Sequence, residues 1–112
     1  MSKYVLFAFN GNIMCFTHVL LNALDMVEHG IDAKIVIEGE AVKLVKELET
    51  SANPLYRKAK ALSLFDSICK ACSASMGVLE YNETVGIPLR GDMNGHPSMA
   101  AFIKAGYQVI TL

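Results

Sequence analysis

Two cysteines three positions apart, Cys69 and Cys72 in the stretch SICKACSASMGV, are the residues of this sequence best equipped for chemistry. Such a pair can give two ligands to a tetrahedral metal ion, close a disulfide, or act as a dithiol. In a dithiol at a helix start, backbone N–H groups stabilise the first thiolate. Zinc needs two more ligands, and Cys15 and His18 are the available ones, on one face of a predicted helix. Structural zinc ordinarily takes two tight pairs from loops, whereas this second pair falls within a distant helix, so the expectation is no metal. A thioredoxin-type pair ordinarily follows the first strand and faces a proline-bearing loop, and neither feature is found here. The plain alternative is that both thiols are small packed hydrophobes, since free cysteine is among the most buried residue types. Cys15, among apolar neighbours, is expected to be inert.

The elements that must position these residues alternate between strand and helix. Residues 3–9, KYVLFAF, form an apolar run ended by Asn10-Gly11-Asn12, as a buried strand does. Asn10 or Asn12 caps a long helix reaching Glu28 or His29, with Ile13, Phe16, Leu20, Leu24 and Val27 at helical spacing and Gly30 stopping it. Cys15, His18, Asn22, Asp25 and His29 recur at steps of three and four along one polar stripe. The rest of that helix is so apolar that a subunit contact is expected beyond what one sheet face covers.

A second strand spans 33–37, and Glu38-Gly39-Glu40 leads into a short helix facing inward through Val42, Val45 and Leu48. Asn53-Pro54 opens another, with Leu55, Ala59 and Leu62 expected inside and Arg57, Lys58 and Lys60 in water. Residues 67–69 read as a third strand and 70–76 as a helix that Gly77 stops. Residues 86–90 make a fourth strand, which Pro88 confines to an edge or a strand end. Pro97 begins the last helix, running to about Ala105, and YQVITL closes the chain as a fifth strand. The expected architecture is one α/β domain over residues 1–112: three layers, a mostly parallel sheet of about five strands, helices on both faces. In such sheets chemistry gathers beyond the carboxyl ends of the strands. Three loops end there: Asn10-Gly11-Asn12, the Cys69 junction and residues 91–96. Asn10, Asn12 and His96 are therefore candidate ligand-binding residues.

Composition narrows the functional classes. A chain of 112 residues supports one core. Ten Lys and Arg scattered among eleven Asp and Glu leave a net charge of −1, without the basic footprint that binds nucleic acid. The apolar tract from Ile13 to Val27 is broken by Thr17, His18, Asn22 and Asp25, so it is not expected to span a membrane. YVLFAF is too short for the apolar core of a secretory signal, and three cysteines are few and odd for a disulfide-stapled domain. Reduced thiols and a cytoplasmic location are the expectation.

The order of elements, the stretch EGEAVKLV, the closing AFIKAGYQVITL and above all CKACSASMGV resemble the DsrE/DsrF-like family over essentially the whole chain. That family comprises small α/β proteins and includes sulfur-relay subunits. Its pattern of a cysteine at the third strand's end, a helix of about two turns, then a glycine and an apolar residue is matched by Cys69 and Gly77-Val78. The resemblance implies that Cys69, rather than Cys72, accepts sulfur as a persulfide and passes it to a partner thiol, with no cofactor. Cys72 is then a resolving thiol, a second sulfur stop or a packing residue. Homo-oligomers are implied too, with a sulfur donor or acceptor protein as partner. Family likeness carries architecture further than reaction, so two other readings stand beside it. One is a non-catalytic module binding a small ligand or partner through Asn10, Asn12 and His96; the other is a Cys69–Cys72 dithiol switch. Sulfur carriage makes a definite demand: the Cys69 sulfur should lie at a helix mouth, reachable by solvent, with a pKa below that of free cysteine.

Overall fold

The structure, a computed structural model describing residues 2–112, is a five-stranded, wholly parallel sheet. Strands β1 (Lys3–Ala8), β2 (Asp32–Ile37), β3 (Phe65–Cys69), β4 (Leu89–Arg90) and β5 (Gln108–Thr111) lie in the order β4-β3-β2-β1-β5. Helix α1 (Ile13–Glu28) joins β1 to β2; a 3-10 turn (Gly39–Lys43), α2 (Leu44–Thr50) and α3 (Pro54–Ala61) join β2 to β3. Short helices α4 (Lys70–Ser75) and α5 (Leu79–Asn82) lead to β4, and α6 (Met99–Lys104) leads to β5.

Strand alternation sorts the core into two faces. Leu6, Ala8, Ile35, Ile37 and Ile68 pack with Phe16, Leu20, Leu24, Val45, Leu48 and Tyr56 from α1, α2 and α3. On the opposite face Val5, Phe7 and Val36 meet Phe102 of α6. Helices thus cover both faces, the second far more thinly. The turns after β1, β2 and β3 lead to the first face and the turn after β4 to the second. Neighbouring strands whose exits diverge leave a crevice between them, and in this sheet it opens between β3 and β4.

Several local expectations change. Tyr56, 1% exposed, takes the inward position on α3 together with Ala59, while Leu62 is 48% exposed and Leu55 only half-buried. The Tyr56 hydroxyl donates to Glu49 at 2.6 Å and Lys60 reaches the same carboxylate at 2.7 Å, so a polar tip lets the ring turn in and Lys60 is not simply in water. Strand β3 begins at Phe65 rather than 67, because the pairing with β2 slips between Ile35 and Val36 and leaves Asp66 turned out to Arg90 at 2.8 Å. Helix α6 begins at Met99 rather than Pro97, capped by Ser98, whose hydroxyl accepts from the Ala101 amide. Helix α5 has no counterpart in the expectation.

Asn12 does cap α1, and the polar stripe of that helix is exposed as expected. Its apolar arc, however, is largely covered within the monomer: Phe16, Val19, Leu20, Ala23 and Leu24 are buried, leaving Met14 and Leu21 exposed. Among the described residues no helix is long and apolar enough to cross a membrane.

Candidate functional site

The carboxyl ends of β2 and β3, the first turn of α4 and the loop after β4 bring together Glu38, Cys69, Cys72 and His96. Cys69 is the last residue of β3 and the N-cap of α4, so its sulfur accepts the Cys72 amide at 3.3 Å. Cys72 sits one turn along α4. That short helix is pinned from below by buried Asn82, which donates to the Val42 carbonyl and the Ser73 hydroxyl, both at 3.1 Å.

His96 arrives by a tight hairpin. Met93 and His96 exchange both backbone hydrogen bonds at 2.8 Å around Asn94-Gly95. Both central residues have positive φ, 49° and 91°, which the type I′ turn requires and Asn-Gly supplies most readily. The hairpin docks on α4 through one backbone hydrogen bond, the Ala71 amide donating to the Gly95 carbonyl at 2.8 Å. A Cβ on Gly95 would lie 3.0 Å from the Ala71 Cβ in a backbone conformation that L residues avoid. Gly95→Ala is therefore expected to cost about 1–3 kcal/mol of stability, read as a lowered urea midpoint; an unchanged midpoint would show that the turn relaxes freely.

Glu38 completes the group. It follows β2, its amide extends the ladder to the Ala8 carbonyl at 2.8 Å, and it is 6% exposed. The imidazole Nδ1 of His96 lies 3.1 Å from the Cys69 sulfur, 3.7 Å from the Cys72 sulfur and 3.4 Å from Glu38 Oε1. Cys72 Sγ is 3.9 Å from the same carboxylate oxygen. Both thiols are free, and their sulfurs lie within 4.8 Å of each other.

Three demands made of Cys69 fare differently. Its sulfur does lie at the mouth of a helix. It is not reachable by solvent: the residue is 0% exposed, and Cys72 and His96 stand between it and water as half-buried side chains. Nor is it favoured as an anion. Burial pushes the thiol up to about 12; the Cys72 amide pulls the other way, and the Cys72 side chain and Glu38 carboxylate push it further up. Of the amides expected to cradle the anion, only that of Cys72 serves, because Ala71 N–H is committed to Gly95. What this sulfur has instead is an imidazole nitrogen in contact. A thiol that donates to Nδ1 can transfer its proton there, and the proton then sits between sulfur and Glu38 Oε1.

Cys69, Cys72 and His96 thus come together as candidates from the sequence, and Glu38 joins them unforeseen. The supposed zinc partners do not: Cys15 and His18 lie on the exposed stripe of α1. Asn10 and Asn12 are used locally, the Asn12 carboxamide accepting from the Met14 and Cys15 amides and that of Asn10 from the Asn12 amide. His96 faces the thiols.

No family model matches the chain. The uncharacterised protein MJ0733 of Methanocaldococcus jannaschii is 33% identical over 102 residues, covering 90% of this chain and 83% of that protein. The solved structure of BT1422, a conserved protein of unknown function from Bacteroides thetaiotaomicron, matches 99% of this chain and 95% of its own with a TM-score of 0.73. At 19% identity that likeness shows a common fold.

Proposed function

This chain belongs to the family of the protein MJ0733, and from its own side chains we propose that it is a sulfur-relay protein of the DsrE-like type. Cys69 carries the sulfur and Cys72 hands it in. The observation that supports this most is the Cys69 sulfur held between a backbone amide at 3.3 Å and the His96 imidazole at 3.1 Å, with a second, half-exposed thiol beside it.

The steps need no oxidant. The Cys72 sulfur attacks the outer sulfur of a donor protein's persulfide; the donor's S–S bond breaks as the new one forms, and the departing donor thiolate takes up the proton that Cys72 gave up. His96 Nδ1 then accepts the Cys69 proton, the Cys69 sulfur attacks the outer sulfur on Cys72, and the proton passes to the Cys72 sulfur as it leaves. Burial that disfavours an idle thiolate also keeps water and stray thiols from the stored persulfide. The partner is a protein presenting a persulfide or an acceptor thiol, and the chain itself associates with further copies.

Intact-mass spectrometry after incubation with a cysteine desulfurase and cysteine tests the reading. One added sulfur that survives a chase with a small thiol is expected on the wild type; on Cys69→Ala the sulfur stops at half-exposed Cys72 and should be lost in that chase, and equal retention by both removes the reading. The sulfur pair also favours a second reading, a dithiol switch, whose signature is loss of two hydrogens on mild oxidation without added sulfur.

A further inference from the structure

Hydrogen bonding does not fully account for the arrangement of Glu38, Cys69, Cys72 and His96. Cys72 Sγ stands 3.7 Å from Nδ1 and 3.9 Å from Oε1, long for hydrogen bonds, yet both atoms are aimed at the same small space as the Cys69 sulfur. All four ligand-type atoms lie within 4.8 Å of one another. With metal–sulfur bonds of about 2.3 Å and metal–nitrogen or metal–oxygen bonds of about 2.0 Å, a tetrahedron separates sulfur from nitrogen or oxygen by about 3.5 Å and nitrogen from oxygen by about 3.3 Å. The sulfur–nitrogen distances here are 3.1 and 3.7 Å, the distance from the Cys72 sulfur to the carboxylate oxygen 3.9 Å and the nitrogen–oxygen distance 3.4 Å. Each falls within about half an ångström of the tetrahedral value.

Charge points the same way. Glu38 is a buried carboxylate whose ion-pair partner among the described residues is His96, with no Lys or Arg in reach. Two thiolates beside it would raise the local charge to three negatives, which a divalent cation offsets where a single imidazolium does not. Two soft sulfurs, an imidazole and a carboxylate within 4.8 Å of one another suit zinc better than the all-oxygen cations or a copper(I) site of thiolates alone. His96 and Cys72, both half-buried, are the two of these side chains that solvent reaches.

We propose that Glu38 Oε1, Cys69 Sγ, Cys72 Sγ and His96 Nδ1 bind one zinc ion. Zinc binding at this site does not rest on sulfur carriage; a role as a cap, the ion holding the same two thiolates closed until a sulfur donor arrives, rests on that reading.

Cobalt(II) titration of the anaerobically reduced, metal-free, tag-free chain tests this on protein never exposed to a sulfur donor, so its failure leaves the sulfur-loading experiment untouched. One equivalent should give the visible bands of tetrahedral cobalt with thiolate ligation, and zinc should abolish them. His96→Ala and Cys72→Ser, at half-exposed positions and checked for fold by circular dichroism, should each lose more than the roughly 10–100-fold in affinity typical of a mere supporting residue. Cys15→Ser should bind as the wild type does. Absence of tetrahedral bands at one equivalent, or unchanged affinity in both variants, overturns the proposal.

Discussion

Alkylation of the reduced, folded protein is expected to label Cys72 and Cys15 while sparing Cys69. Two effects compete. A thiol raised to about 12 holds far less thiolate near neutral pH than free cysteine at about 8.5, a deficit on the order of 10³-fold. A more basic thiolate is the stronger nucleophile, which recovers only about 25-fold to 60-fold. The deficit wins by about 10²-fold, before the closed position of the sulfur is counted. Because the shift is upward, the Cys69 rate should climb with pH through the range where free cysteine levels off, and continue climbing toward pH 11 or beyond. Peptide-resolved labelling with iodoacetamide across pH measures this. Reaction at Cys69 first, or a plateau below the free-cysteine range, would contradict the burial on which the site's behaviour is argued.

A sulfur so reluctant to ionise makes its neighbour decisive. His96→Ala should slow sulfur loading from a protein donor by about 10²–10⁴-fold, the usual contribution of a positioned base. The imidazole is the base in contact with the Cys69 sulfur, and the Glu38 carboxylate, within 4.8 Å of that sulfur, lies farther off and steadies the proton the imidazole takes. A purely structural role for His96 predicts something different. Added free imidazole should then restore nothing, whereas a lost base is rescued at least in part, with a rate that follows the deprotonated fraction of the added imidazole. Loading within a few-fold of wild type would remove His96 from the reaction.

The sequence disclosed most of the fold because most of its signals are local. Apolar runs ended by Asn10-Gly11-Asn12 or Gly30, and Asn-Pro at 53–54, mark boundaries through side-chain caps and fixed φ, and those elements formed where expected. What failed depended on partners far along the chain. Leu62 lost its inward place to Tyr56 because Glu49 accepts the tyrosine hydroxyl. The start of β3 was hidden by Asp66, whose outward turn follows from a register slip against β2. Three of the four site residues were legible from type and position, but Glu38 was not. Its only mark is to be the acid directly after a buried strand, and that matters only once β2 is known to lie beside β3. The environment of Cys69 was misjudged for a similar reason: a helix start suggests amides and solvent, while the hairpin that takes the Ala71 amide and closes over the sulfur comes from residues 91–96.

The central claim, that Cys72 receives sulfur and Cys69 keeps it, is open to one direct measurement. Lys70 lies between the two cysteines, so trypsin separates them into different peptides. Protein loaded by a desulfurase, quenched by rapid denaturing alkylation and digested, should show the extra sulfur first on the Cys72 peptide and, after a chase without donor, on the Cys69 peptide. Sulfur appearing first on the Cys69 peptide, remaining on the Cys72 peptide after the chase, or settling on neither would contradict it.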